Sequence, residues 1–222
     1  MLDWLVHSDV GLLVRIIAGC CVFAGLAIAD FSWHGRSATR WREYAMLAAA
    51  VGAAMLYGIV NDQITSGISW EYFYYGKELD KVLGPQTPPQ AWALRWEAAK
   101  VGMKATWTSG LIFGVVLLLA NNPYRTFPRL KNRELLGMIP IMVLTAGAMG
   151  IIGGILGYEG FLSWLSVDFQ DMMRADVFRP RRFICTWGIH LGGYVGGFVG
   201  TFVAAVIVVR RRVIEGNAAK LN

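Results

Sequence analysis

The chain has 222 residues, of which 55% are hydrophobic and 16% charged, with a mean hydropathy of +0.46. So low a charged share, against about a quarter in soluble domains, excludes an ordinary water-soluble fold. The formal charge of +6 does not point to nucleic acid, because the basic residues gather between apolar runs.

A helix needs ~20 mostly apolar residues to cross ~30 Å of hydrocarbon. Five segments meet that test, at about 10–29, 43–61, 97–121, 137–157 and 184–209. The expected fold is therefore all-α. It is a polytopic transmembrane bundle of about five spans in a single membrane domain, 1–222, with short interfacial helices in its outer loops.

The first span lacks a basic flank, follows Asp3 and Asp9 and carries Arg15, so it reads as a retained span rather than a signal peptide. Arg15 is expected to snorkel outward. Cys20, Cys21 and Cys185 have no metal-type spacing and read as small apolar residues.

The second span ends in "GIVNDQITSGISWEYFYYG", where Asn61, Asp62 and Gln63 follow an apolar helix and five aromatics surround Glu71. Ser69 is a candidate cap for a short helix. The aromatics Trp70, Tyr72, Phe73, Tyr74 and Tyr75 resemble an interfacial belt. After "GPQTPPQ", Thr87-Pro88 reads as the start of the third helix, near residue 89. Glu97, Lys100 and Lys104 share one face of it.

Between spans four and five, Phe161, Leu162, Leu165, Phe169, Met172 and Met173 recur at helical spacing, which predicts an amphipathic surface helix. The last span carries Gly188, Gly192, Gly196 and Gly200, each four apart and so on one face. These predict close packing on span four, which offers Gly150, Gly153, Gly154 and Gly157; a flat ligand or lipid tail is the alternative occupant. Span two offers Ala49, Gly52, Ala53 and Ala54. His190 also lies in the last span, near Tyr194.

Eleven basic residues and four acids fall on one side of these spans, against eight basic residues and eleven acids on the other. The positive-inside rule then puts the N-terminus outside and the C-terminus in the cytoplasm. Asp62, Glu71, Glu97 and His190 all lie toward the outer ends. Intramembrane ionisable groups are costly and so are functional candidates.

Carboxylates with one imidazole suit a divalent metal such as manganese, iron or zinc. Asn61, Gln63, Tyr57, Tyr72 and Tyr194 would orient those ligands. The alternatives are a small-ligand site without metal, and a non-catalytic accessory subunit docked on other membrane subunits or on a second copy. No activated nucleophile or nucleotide loop stands out, so enzymatic activity is left open.

The stretch "LYGIVNDQITSGISWEYF" and the terminal "WGIHLGGYVGG" resemble a group of uncharacterised bacterial multi-pass membrane proteins. The matching positions are Asp62, Gln63, Thr65, Glu71, Tyr72, Phe73, His190, Tyr194, Gly196 and Gly197. Two positions depart from that pattern: Asn61 stands where it has histidine, and Lys77-Glu78 replace a second histidine. The resemblance implies a bacterial inner-membrane location, and no assigned chemistry.

Overall fold

The computed structural model describes residues 9–122, 127–162 and 177–221. Its helices are α1 (Asp9–His34), α2 (Trp41–Ile68), α3 (Asp80–Leu83), α4 (Ala91–Ala120), α5 (Asn132–Leu136), α6 (Ile139–Tyr158) and α7 (Pro180–Leu221). Five of the helical stretches are long and apolar enough to cross a membrane. An all-α bundle of five candidate spans is therefore what the chain forms, as an integral membrane protein requires.

Lipid provides no hydrophobic drive between helices, so backbones must approach through small residues. They do so in two antiparallel pairs. In the first, Gly58 of α2 meets Gly102 of α4, and Gly110 of α4 lies on Ala50 and Ala54. In the second, Gly153 of α6 meets Gly188 of α7, Gly192 lies on Met149, and Gly196 and Gly200 lie on Thr145. A Cβ at any of these glycines would overlap the facing helix.

On α2 the packed face differs in part from the expected one: Ala54 packs as expected. Gly52 has nothing near it, whereas Ala50, Ala54 and Gly58 are buried. Several small residues in that span could make a stripe; their neighbours on α4 decide which one does.

Two clusters hold the pairs together. One, at the end of the bundle where α2 begins and which is expected to face inward (inner, the opposite end being outer), joins Met46, Phe113, Leu117, Leu135, Met138, Ala204 and Val208. The outer one joins Tyr72, Phe73, Leu79, Leu94, Ala98 and Phe183. Tyr72, Phe73 and Tyr74 are thus buried rather than spread along the interface as a belt. Exposed Trp92 and Trp96 are the aromatics left on the surface at the start of α4.

Helix boundaries also shift. α2 runs seven residues beyond the expected 61, to Ile68. Along its polar end Thr65 Oγ1 donates to the Asn61 carbonyl at 2.9 Å and Ser66 Oγ to that of Gln63 at 3.2 Å, so both hydroxyls are satisfied within the helix. Ser69 then acts as the expected cap, its Oγ accepting from the Tyr72 N–H at 3.2 Å. Residues Tyr72–Gly76 form a π-helical turn, and α3 follows, so this outer loop does carry short helices. Thr87-Pro88 is a cis peptide and does not start α4, which begins at Ala91. The amphipathic helix expected after span four falls mostly outside the described residues.

At the opposite end the 42-residue α7 is pinned by a buried charge. Arg212 is 6% exposed and donates to the carbonyls of Ala120, Phe127 and Pro128. Lysine cannot reproduce this fork. Arg212→Lys should lower the unfolding free energy in mixed micelles by ~1–2 kcal/mol. An unchanged midpoint would mean that these carbonyls find water instead.

Candidate functional site

The outer half of the bundle contains a buried polar cluster. Asp62 lies six residues before the end of α2, ~9 Å inside the helix rather than at its rim. Its side chain is 2% exposed. Oδ1 accepts from Asn61 Nδ2 at 3.2 Å and lies 3.6 Å from His190 Nε2 on α7. Among the described residues Oδ2 has no hydrogen-bond partner, and neither does the buried hydroxyl of Tyr57 earlier on the same helix.

His190 is held on several sides. Its ring stacks on Tyr72 with centroids 4.9 Å apart, and Phe73 meets it edge-on at 5.9 Å. Its Nε2 lies 3.4 Å from Thr65 Oγ1. The Thr65 proton is already committed to the Asn61 carbonyl, so its oxygen is the acceptor and the ring proton belongs on Nε2. Beyond Tyr72, Lys77 Nζ sits 5.3 Å from the ring centroid. Burial holds the Lys77 ammonium below its ordinary pKa, with the charge of Asp62 pulling the other way. Burial likewise pushes the Tyr72 phenol up.

The expected metal set is divided. Asp62 and His190 meet, as their opposite chain directions at the same end of the bundle require. Glu71, 1% exposed, uses Oε1 to accept the N–H groups of Phe178 at 2.6 Å and Arg179 at 3.2 Å. It thereby ties the outer turn to the N-terminal end of α7, where a carboxylate also complements the dipole. Glu97 pairs with Lys100 at 2.7 Å, as its spacing predicts. Among the described residues no group of three or more His, Cys, Asp or Glu could hold a metal ion.

The orienting residues divide in the same way. Asn61 and Tyr72 act on Asp62 and His190. Gln63 does not: its Nε2 donates to the Arg95 carbonyl at 2.8 Å and ties α2 to α4.

Beneath the cluster lies a cavity of about 280 Å³, lined from α2, α4, α6 and α7. Its outer end carries Tyr57, Asn61, Asp62, His190 and Tyr194. Its walls are small or apolar, among them Ala54, Gly102, Ala105, Ala146, Gly193 and Gly197. Thr106 and Thr201 also line it, but their hydroxyls donate back to the carbonyls of Gly102 and Gly197 at 2.8 and 2.7 Å. From His190 to Thr201 the groove runs ~16 Å along α7. Its size is near the lower end of small-molecule sites.

Thr65 and Gly197 entered the sequence reading only as matching positions of the resemblance, and Lys77 and Gly102 did not enter it as site residues. A signal for the first existed. Tyr57, Asn61 and Thr65 are four apart on one helix, a polar stripe on an apolar span. Lys77 and the pairing of Gly58 with Gly102 depend on tertiary placement and left no local trace.

A helical membrane bundle with an enclosed polar cluster above an apolar groove is the class these features define. Comparison with known proteins gives no matching family model, no matching curated protein and no matching solved structure.

Proposed function

We propose that this protein binds a small lipophilic ligand in the groove, with the polar end of that ligand against Asp62, Tyr57 and His190. On the charge bias between loops, this end would face the non-cytoplasmic side of the membrane. The observation that carries the reading is the pair of orphaned polar atoms, Asp62 Oδ2 and the Tyr57 hydroxyl, on two residues that line an apolar cavity. A buried unpaired polar group is costly, and a ligand that pairs with it recovers that cost on binding.

A divalent metal in the same place would have two protein ligands at hand, Asp62 and His190, and would need the rest from elsewhere. The groove reading uses the apolar wall as well, so it is preferred. An accessory role in a larger assembly rests on α1, whose apolar side chains such as Val22, Ile28 and Phe31 are exposed. That role leaves the orphaned atoms unexplained.

Gly197 supplies the test, because it lines the groove and has open space beside its Cα. A leucine there sets its Cβ in open space on a residue that lines the groove, and its larger side chain should narrow the groove. The full chain in detergent should crosslink a diazirine-bearing dodecyl chain at positions 102–116 of α4 and 193–201 of α7. Gly197→Leu should reduce that labelling by about tenfold, the scale of steric exclusion from an apolar site. Labelling confined to lipid-facing residues such as Leu119 and Leu144, unchanged in the variant, would sink the reading.

A further inference from the structure

The unmet hydrogen bonds of the groove specify the head of its ligand, and this step rests on the reading just given. Asp62 is acceptor-only when ionised, and one of its oxygens has no donor. Asn61 already serves Oδ1, and the His190 proton faces Thr65. When Asp62 is ionised, the donor that Oδ2 lacks among the described residues is one that an occupant of the cavity can supply. The Tyr57 hydroxyl is also unmet, and it can give a hydrogen bond to the same head group or take one from it. Gly193 stands against it, where a Cβ would come within 3.0 Å of the Tyr57 oxygen, so the absence of a side chain leaves the hydroxyl its place.

Charge narrows the head further. An anionic head would meet the Asp62 carboxylate among largely apolar walls. A cationic head would share the outer layer with Lys77, whose ammonium lies over the Tyr72 ring that stacks on His190. A neutral hydroxyl satisfies Asp62 without placing a new charge beside either group. The apolar walls and elongated shape accept one chain or a narrow ring and chain.

We infer that the ligand is a neutral, hydroxyl-headed amphiphile of the phenol, quinol or long-chain alcohol type, whose O–H donates to Asp62 Oδ2 and whose oxygen meets the Tyr57 hydroxyl. The head lies between α2 and α7, and the apolar body runs down the groove past Gly197 toward Thr201.

The experiment is competition against the dodecyl photoprobe on the full-length chain in detergent, with 4-dodecylphenol, 4-dodecylanisole and dodecylamine as competitors. The phenol should displace the probe at a concentration about tenfold lower than the anisole, which keeps the shape and loses the donor. Dodecylamine should displace it no better than the anisole. In Asp62→Asn the amide can donate to an ether oxygen, so the preference for phenol over anisole should fall toward parity.

Equal displacement by phenol and anisole in the wild-type chain would overturn the head assignment and leave the groove reading standing. Strongest displacement by dodecylamine would overturn it in favour of a cationic head. Failure of all three to displace a probe that Gly197→Leu also fails to exclude would overturn both. An unaltered phenol preference in Asp62→Asn would show that another group receives the hydroxyl.

Discussion

Gly192→Ala should cost the bundle at least about 3 kcal/mol, the upper end of the usual penalty for overpacking. Its single added methyl would overlap the Met149 carbonyl oxygen and approach Gly150 Cα. Neither can yield cheaply, because both are backbone of α6. The helices must separate, and the neighbouring contacts of Gly153 with Gly188 and of Gly196 with Thr145 loosen with them. Gly52→Ala and Gly147→Ala are the controls, since a Cβ at either meets nothing within 4 Å. They should stay within ~0.5 kcal/mol of wild type, as surface substitutions do. Unfolding in graded denaturing detergent separates these outcomes. A Gly192→Ala chain as stable as Gly52→Ala would mean that α6 and α7 do not meet through this face.

Glu71→Ala should be the second severe lesion, at ~2–4 kcal/mol, because two charge-assisted hydrogen bonds disappear together. Both end on one oxygen, Oε1, so Glu71→Gln can keep the acceptor while losing the charge. Its cost should be less than half that of alanine. The damage should also be local. Amide exchange should accelerate at Phe178, Arg179 and the turn Tyr72–Gly76, while the inner cluster around Phe113 and Leu117 stays protected. Equal costs for alanine and glutamine would show that charge, rather than the two amide bonds, is what Glu71 contributes. Since Tyr72 and Phe73 hold the His190 ring, loss of this tie should also weaken ligand binding.

The spans could be read from the sequence because hydrocarbon thickness forces long apolar runs, and their packing could be read in part because glycine spacing is local. The four glycines from Gly188 to Gly200 do face α6. On α2 the stripe was only partly legible: Ala54 faces α4 but Gly52 does not, since Ala49, Gly52, Ala53 and Ala54 offer several faces and only the partner helix selects one.

Topology set Asp62 and His190 toward the same end of their spans, but it set Glu71 and Glu97 there as well and did not single out this pair. The roles of Glu71 and Gln63 were not legible. Each contacts backbone far away in sequence, and residue type cannot reveal a distant amide or carbonyl. The aromatic run misled for a related reason: a belt and a buried outer core have the same composition, and only the fold of the turn after Ser69 distinguishes them.

The occupancy of the groove is most directly measured by magnetisation transfer from a protonated dodecylphenol to alanine methyls of the full chain in deuterated detergent. If the groove holds the ligand, its chain protons contact the methyls of Ala54, Ala105 and Ala146, and these contacts vanish in Gly197→Leu. Contacts confined to exposed alanines such as Ala24 on α1, the same in wild type and variant, would contradict it.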